Sequence, residues 1–142
     1  MRALLLISAF AVAVPDRPDP TPKYAAPPQS TYIGDWAYRG NGKEPNPNPG
    51  GPNYTFRLTA TESIWIENGQ AQPSNGLSAK IVLDLTKNPM PIDFQPHRGG
   101  AAIVGIVRVE NDRLVLAWSN NQTRPTDFIN AHNIHHFQRV IK

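Results

Sequence analysis

Three histidines crowd the end of the chain, His132, His135 and His136, with His97 further back as a fourth imidazole. Neutral imidazoles bind zinc, copper and nickel. Successive residues of a strand point to opposite faces, however, so His135 and His136 cannot both enter one site without a bend. They read as polar loop and strand-edge histidines, and no metal site is expected. Acid/base chemistry would need two carboxylates converging in a cleft. Asp84 and Asp93 flank one turn, but Lys80, Lys87, Arg98 and Arg124 offer them structural partners, and Glu110 and Asp112 read as turn residues. There is no Gly-x-Ser-x-Gly nucleophile elbow and no phosphate-cradling loop. The absence of cysteine excludes a thiolate metal site, a thiol nucleophile and a disulfide scaffold. The expectation is a protein without catalytic residues or cofactor.

What remains is binding, and that depends on the elements that would carry it. A chain of 142 residues with 39% hydrophobic content suits one domain with a single modest core. Fourteen Lys+Arg against eleven Asp+Glu leave +3, scattered singly, which argues against nucleic acid as the partner. Met1-Arg2, the run from Ala3 to Val14 and the small residues at Ala9-Phe10-Ala11 or Ala11-Val12-Ala13 read as a signal peptide over 1–13. Twelve residues are too few to span a bilayer as a helix, so no membrane span is expected and the protein reads as secreted or periplasmic. Residues 14–30 hold the first of two proline clusters and read as an extended linker.

From Thr31 to Lys142 apolar residues recur with a period of two between turn signals. The expected strands are Tyr32–Arg39, Tyr54–Ala60, a short one around Ile64-Trp65-Ile66, Lys80–Leu85, a short one in Pro91–Phe94, Ala102–Val109, Arg113–Ser119 and His136–Lys142. Asn68-Gly69 is a hairpin signal, because both residues tolerate positive φ. Residues 40–53 form a long Gly/Asn/Pro loop, and 120–133 a polar connector with one helical turn started by Thr126 or Asp127. Eight short antiparallel strands remove their edges by closing, so an all-β, up-and-down eight-stranded barrel is expected, with a β-sandwich as the alternative. The apolar character of both faces in Ala102–Val107 suggests that something covers the outer one.

In such a barrel the first and last strands are neighbours, so Gly34-Asp35-Trp36 and Arg139 can meet as a guanidinium over an indole. This Gly-x-Trp/Arg pair resembles the base of the lipocalin superfamily. The segment Leu83-Asp84-Leu85-Thr86-Lys87-Asn88-Pro89-Met90-Pro91-Ile92-Asp93 resembles the LDPTKxPKxID signature of a lipocalin-like domain common in secreted planctomycete proteins. It is followed in the family's order by Gly105-Ile106-Val107, then Glu110-Asn111-Asp112-Arg113-Leu114, then Arg124-Pro125-Thr126-Asp127-Phe128. The chain departs from that pattern in its long loop at Asn41–Pro52 and in lacking the cysteine often seen on the seventh strand. The resemblance implies a barrel and export, and no established activity. In the barrel reading Arg124 pairs with an acid such as Asp93, while Phe128 plugs a barrel end.

The function expected is a binding module for a small apolar or amphipathic ligand inside the barrel. The interior candidates are Trp36, Tyr38, Phe56, Leu83, Trp118 and Phe137, joined by Trp65; Gly34, Trp36 and Arg139 form the base, and the Asn41–Pro52 loop is a lid. The alternative is a filled barrel that engages an envelope protein through its surface.

Overall fold

The computed structural model describes residues 32–46 and 53–141, so the expected signal peptide and linker and half of the long loop lie outside the described residues. Nine strands follow one another: β1 (Gly34–Asn41), β2 (Tyr54–Leu58), β3 (Glu62–Glu67), β4 (Gln70–Ala71), β5 (Ala79–Leu83), β6 (Met90–Pro96), β7 (Ile103–Glu110), β8 (Arg113–Ser119) and β9 (Asn133–Arg139). All pair antiparallel in the order β2-β1-β9-β8-β7-β6-β5-β3-β4, and β2 also pairs with β3. That last pairing closes eight strands into an up-and-down barrel and leaves the two-residue β4 outside the ring, so the sandwich alternative does not apply.

The turns follow from local chemistry. Asn68 (φ 49°) and Gly69 (φ 80°) join β3 to β4, and Asn111 (φ 48°) with Asp112 (φ 58°) join β7 to β8. Positive φ at both central positions matches a two-residue hairpin to the right-handed strand twist. Because the strands alternate in direction, the 59–61, 84–89 and 111–112 turns lie at one end, here the lower, with both termini of the barrel. The start of the connection after β1 and the 68–78, 97–102 and 120–132 connections lie at the upper end.

Three elements differ from expectation. β6 runs over seven residues rather than four, because β5 and β7 flank it on both sides and supply its ladder despite Pro91 and Pro96. β9 begins at Asn133 and stops at Arg139, not 136–142: its polar-looking start is held by the Trp118↔Asn133 and Ala117↔Ile134 pairings, while Ile141 is left exposed. The 120–132 connector contains no helix; the Asp127 carboxylate instead accepts from the Ile129 and Asn130 amides at 2.8 Å each, a turn that satisfies those donors locally.

The narrowest seam is β3–β5, with only Glu62↔Lys80 and Ser63↔Ala79 in register. Two buried serines reinforce it where the ladder ends. Ser63 Oγ donates to the Leu77 carbonyl at 2.7 Å, Ser78 Oγ donates to the Gln72 carbonyl at 2.7 Å, and Ser78 Oγ accepts from the Trp65 amide at 2.9 Å. Buried backbone groups left by a shortened ladder need such partners.

The interior holds one continuous core, in which Trp36, Phe56, Leu58, Met90, Ile92, Phe94, Leu114 and Leu116 are almost wholly buried. Gly105 faces this core where a Cβ would stand 2.6 Å from the Ala117 carbonyl oxygen, so β7 and β8 approach closely only because that residue has no side chain. A second, smaller cluster lies outside the barrel: Ile106, Ala117 and Ile134 from the outer faces of β7, β8 and β9, packed against Phe128 and Ala131 of the connector. Phe128 therefore does not plug a barrel end. It covers the outer sheet face, with the Arg108 guanidinium 5.0 Å from its ring centroid. The chain thus covers its own two-faced apolar strand, and that face is not presented to a partner.

Arg124 anchors the start of this strap. It pairs with Asp93, as its sequence context suggests, and donates to the Gly105 and Ile92 carbonyls at 2.7 and 3.1 Å. Asp84 accepts from Thr86 and pairs with Lys87 at 3.2 Å, so the two carboxylates that flank the turn are each turned to structural work. Hydrogen bonds from Thr86 and then the Lys87 charge hold the Asp84 carboxyl below the usual carboxylate range.

Candidate functional site

The base comes together where the first and last strands of the barrel meet. Trp36 pairs with Arg139 across β1 and β9, its Nε1 donates to the Tyr32 carbonyl at 2.9 Å, and the Arg139 guanidinium lies 4.2 Å from the indole centroid. Arg139 also donates to Asp112 at 2.9 Å and to the Ile33 carbonyl at 3.2 Å, sealing the lower end. Gly34 (φ 145°) passes so close that a Cβ would stand 3.1 Å from Arg139 Nη1. Trp36 thus forms a structural floor of the barrel.

Above it the interior is aromatic. Phe56 and Phe137 stack with centroids 5.3 Å apart, and Trp65 contacts both at 6.0 and 6.1 Å. Tyr38 meets Tyr54, Trp65, His135 and Phe137 at 5.5–5.9 Å, and Trp118 meets His135 at 5.8 Å. Of the sequence-predicted residues, Tyr38, Phe56, Trp118 and Phe137 join this group. Leu83 does not: it ends β5 beside the lower 84–89 turn, packed at the edge of the core.

Tyr54 and His135 belong to the group although the sequence reading passed over both. The signal was strand parity. Tyr54 shares its face with Phe56 and Leu58, and His135 shares its face with Phe137 and Arg139 once β9 begins at Asn133. His135 and His136 do point to opposite sides: His135 goes inward, while His136 Nε2 lies 2.9 Å from the Gly42 carbonyl outside the barrel.

Two polar atoms in this aromatic upper part of the packed interior (the upper chamber), Trp118 Nε1 and His135 Nδ1, are buried with no hydrogen-bond partner among the described residues. Burial, with a smaller contribution from the His136 charge, lowers the His135 imidazole to about 4, so it is neutral at physiological pH. Burial likewise raises the Tyr38 phenol above its ordinary value, keeping it protonated. The chamber is therefore uncharged, walled by rings and equipped with an indole N–H and a neutral imidazole. The rings match an apolar body in character, and the two polar atoms match one hydrogen-bonding edge.

The described part of the long loop is not over this chamber. A one-residue bulge between Tyr38 and Asn41, with buried Gly40 at φ 103°, turns the chain outward. Residues 42–46 then lie along the outer face, held by Gly42 N to the Ile134 carbonyl at 3.0 Å and Asn46 N to the Arg39 carbonyl at 2.6 Å. The expected lid is not formed by these residues; 47–52 lie outside the described set.

A scan against protein-family models found no match, and searches of curated proteins and of solved structures found none either.

Proposed function

We propose that this chain is an exported, lipocalin-like binding module that holds one small amphipathic molecule in the upper chamber of its barrel. The observation that carries the reading is the pair of buried polar atoms that have no partner among the described residues, Trp118 Nε1 and His135 Nδ1, set among aromatic rings. Leaving a buried polar group unpaired costs roughly 1–3 kcal/mol, and a ligand that supplies the partner recovers that free energy on binding. An occupant with an apolar or aromatic body and one hydrogen-bonding edge suits the site. Tyr38 and Tyr54, only partly buried, are the side chains that would move to admit it. Export rests on the apolar run of residues 3–14 and the proline-rich stretch that follows.

The test is titration of the purified protein with a fluorescent fatty-acid-like probe, beside native mass spectrometry for a co-purifying molecule. Saturable binding of one probe per chain, weakened in Trp118→Phe and His135→Phe while both variants keep their melting transition, supports the proposal. An empty protein that ignores the probe overturns it and leaves a filled barrel.

A further inference from the structure

On the opposite side of the wall from the chamber, the outer faces of β8 and β9 form the floor of a groove of about 630 Å³. Pinning residues 42–46 outward by the Gly40 bulge makes one side of it, and the end of β7 makes the other. Its volume falls within the roughly 300–1,000 Å³ range of small-molecule sites.

The charges in it are unbalanced. Arg39, Lys43, Arg108 and Arg113 line the groove against Glu44 and Glu110. Arg108 is engaged already, 3.5 Å from Glu110 and stacked on Phe128. Arg39, Lys43 and Arg113 make no ion pair among the described residues. Three cations thus stand against Glu44 alone, over a floor of Val115, His136 and Gln138. On a chain of net +3 whose cations are otherwise scattered, this is a local concentration inside a concave, hydrogen-bonded frame. The His136 Nε2–H donates to the Gly42 carbonyl, which ties the floor of the groove to its 42–46 side.

We infer that this outer groove is a second binding site, independent of the chamber, for a small organic anion that presents a carboxylate or phosphate to Arg39 and Arg113. Guanidinium groups take planar oxyanions through charge-assisted, often bidentate hydrogen bonds. The concave shape and the small surplus of cations over Glu44 and Glu110 favour a compact ligand over a polyanionic strand, which would need cations running beyond the groove.

The experiment is a titration of the full chain, followed by amide and side-chain chemical shifts, with inorganic phosphate in one arm and citrate in the other. The proposal expects saturable shifts at Val115, His136 and Gln138 in at least one arm, and the arm that binds names the anion class. Arg113→Gln should weaken binding about tenfold. Glu44→Gln should tighten it, since it removes an acid that competes for the same cations. Raising salt from about 0.05 to 0.2 M should weaken it, as expected for a partly exposed charged site. Trp118→Phe, whose side chain lies in the interior away from the groove lining, should leave it unchanged. Shifts that never saturate in either arm, that centre elsewhere, or that ignore Arg113→Gln and Glu44→Gln overturn the inference.

Discussion

Trp36 and Arg139, separated by most of the chain, face each other in register across β1 and β9, with the guanidinium 4.2 Å from the indole centroid. One contact therefore joins the first strand of the barrel to the last, and it does so at the end where both termini enter. A cation over an indole contributes roughly 1–2 kcal/mol when shielded from water, and here Asp112 and the Ile33 carbonyl hold the guanidinium in place.

Trp36→Ala should lower stability by roughly 3–5 kcal/mol, as removal of a wholly buried aromatic does. Trp36→Phe and Arg139→Lys in a double-mutant cycle should show a coupling of about 1 kcal/mol. Urea unfolding measures both. A loss of only about 0.5 kcal/mol for Trp36→Ala would place the indole at a surface site and remove the barrel base.

Stability should depend on pH through His135. Its folded-state value of about 4 lies below its ordinary value of 6.5, so the unfolded chain binds the proton more readily. Stability is then fully retained above about pH 7 and falls as pH drops from 6.5 towards 4, by up to about 3 kcal/mol for this group. In His135→Phe that limb should flatten; an unchanged slope between pH 6.5 and 4 would show that the ring is solvated.

The narrow β3–β5 seam should depend on its serines. Ser78→Ala removes the acceptor of the buried Trp65 amide and should cost about 1–3 kcal/mol. Hydrogen exchange at Trp65 and Ile81 should rise before that at Leu116 on the opposite wall. Uniform exchange across the barrel would show that the seam opens only with global unfolding.

Gly105→Ala should destabilise by about 1–3 kcal/mol, because the new methyl meets the Ala117 carbonyl at 2.6 Å and a backbone oxygen cannot swing aside as a side chain can. Thermal unfolding reads it directly. An unchanged melting temperature would mean that β7 and β8 can separate without loss.

Period-two alternation, hairpin residues and the absence of long helical patterns were enough to read an antiparallel barrel, because each is a local consequence of strand geometry and φ preferences. The Trp36/Arg139 base was legible for a similar reason: once a meander closes, which strands are neighbours is settled, whereas the Arg124–Asp93 pair followed only from the acids that an Arg in that motif could meet. Tyr54 and His135 were within reach of the same parity argument. His135 was obscured because the polar start of β9 reads as loop until the ladder of β8 stabilises it.

Other features could not be read from sequence. That Phe128 covers the outer face rather than a barrel end depends on the route of the 120–132 connector, and no local rule determines that route. The direction of residues 42–46 depends on a bulge at Gly40, a one-residue shift that sequence alternation cannot show. The sequence by itself determined the strand order, the hairpins and the base, since these follow from side-chain period and turn chemistry. Only the tertiary structure decided which buried polar atoms find no partner among the described residues and which cations share the outer groove, because both depend on distances between residues that no spacing along the chain encodes.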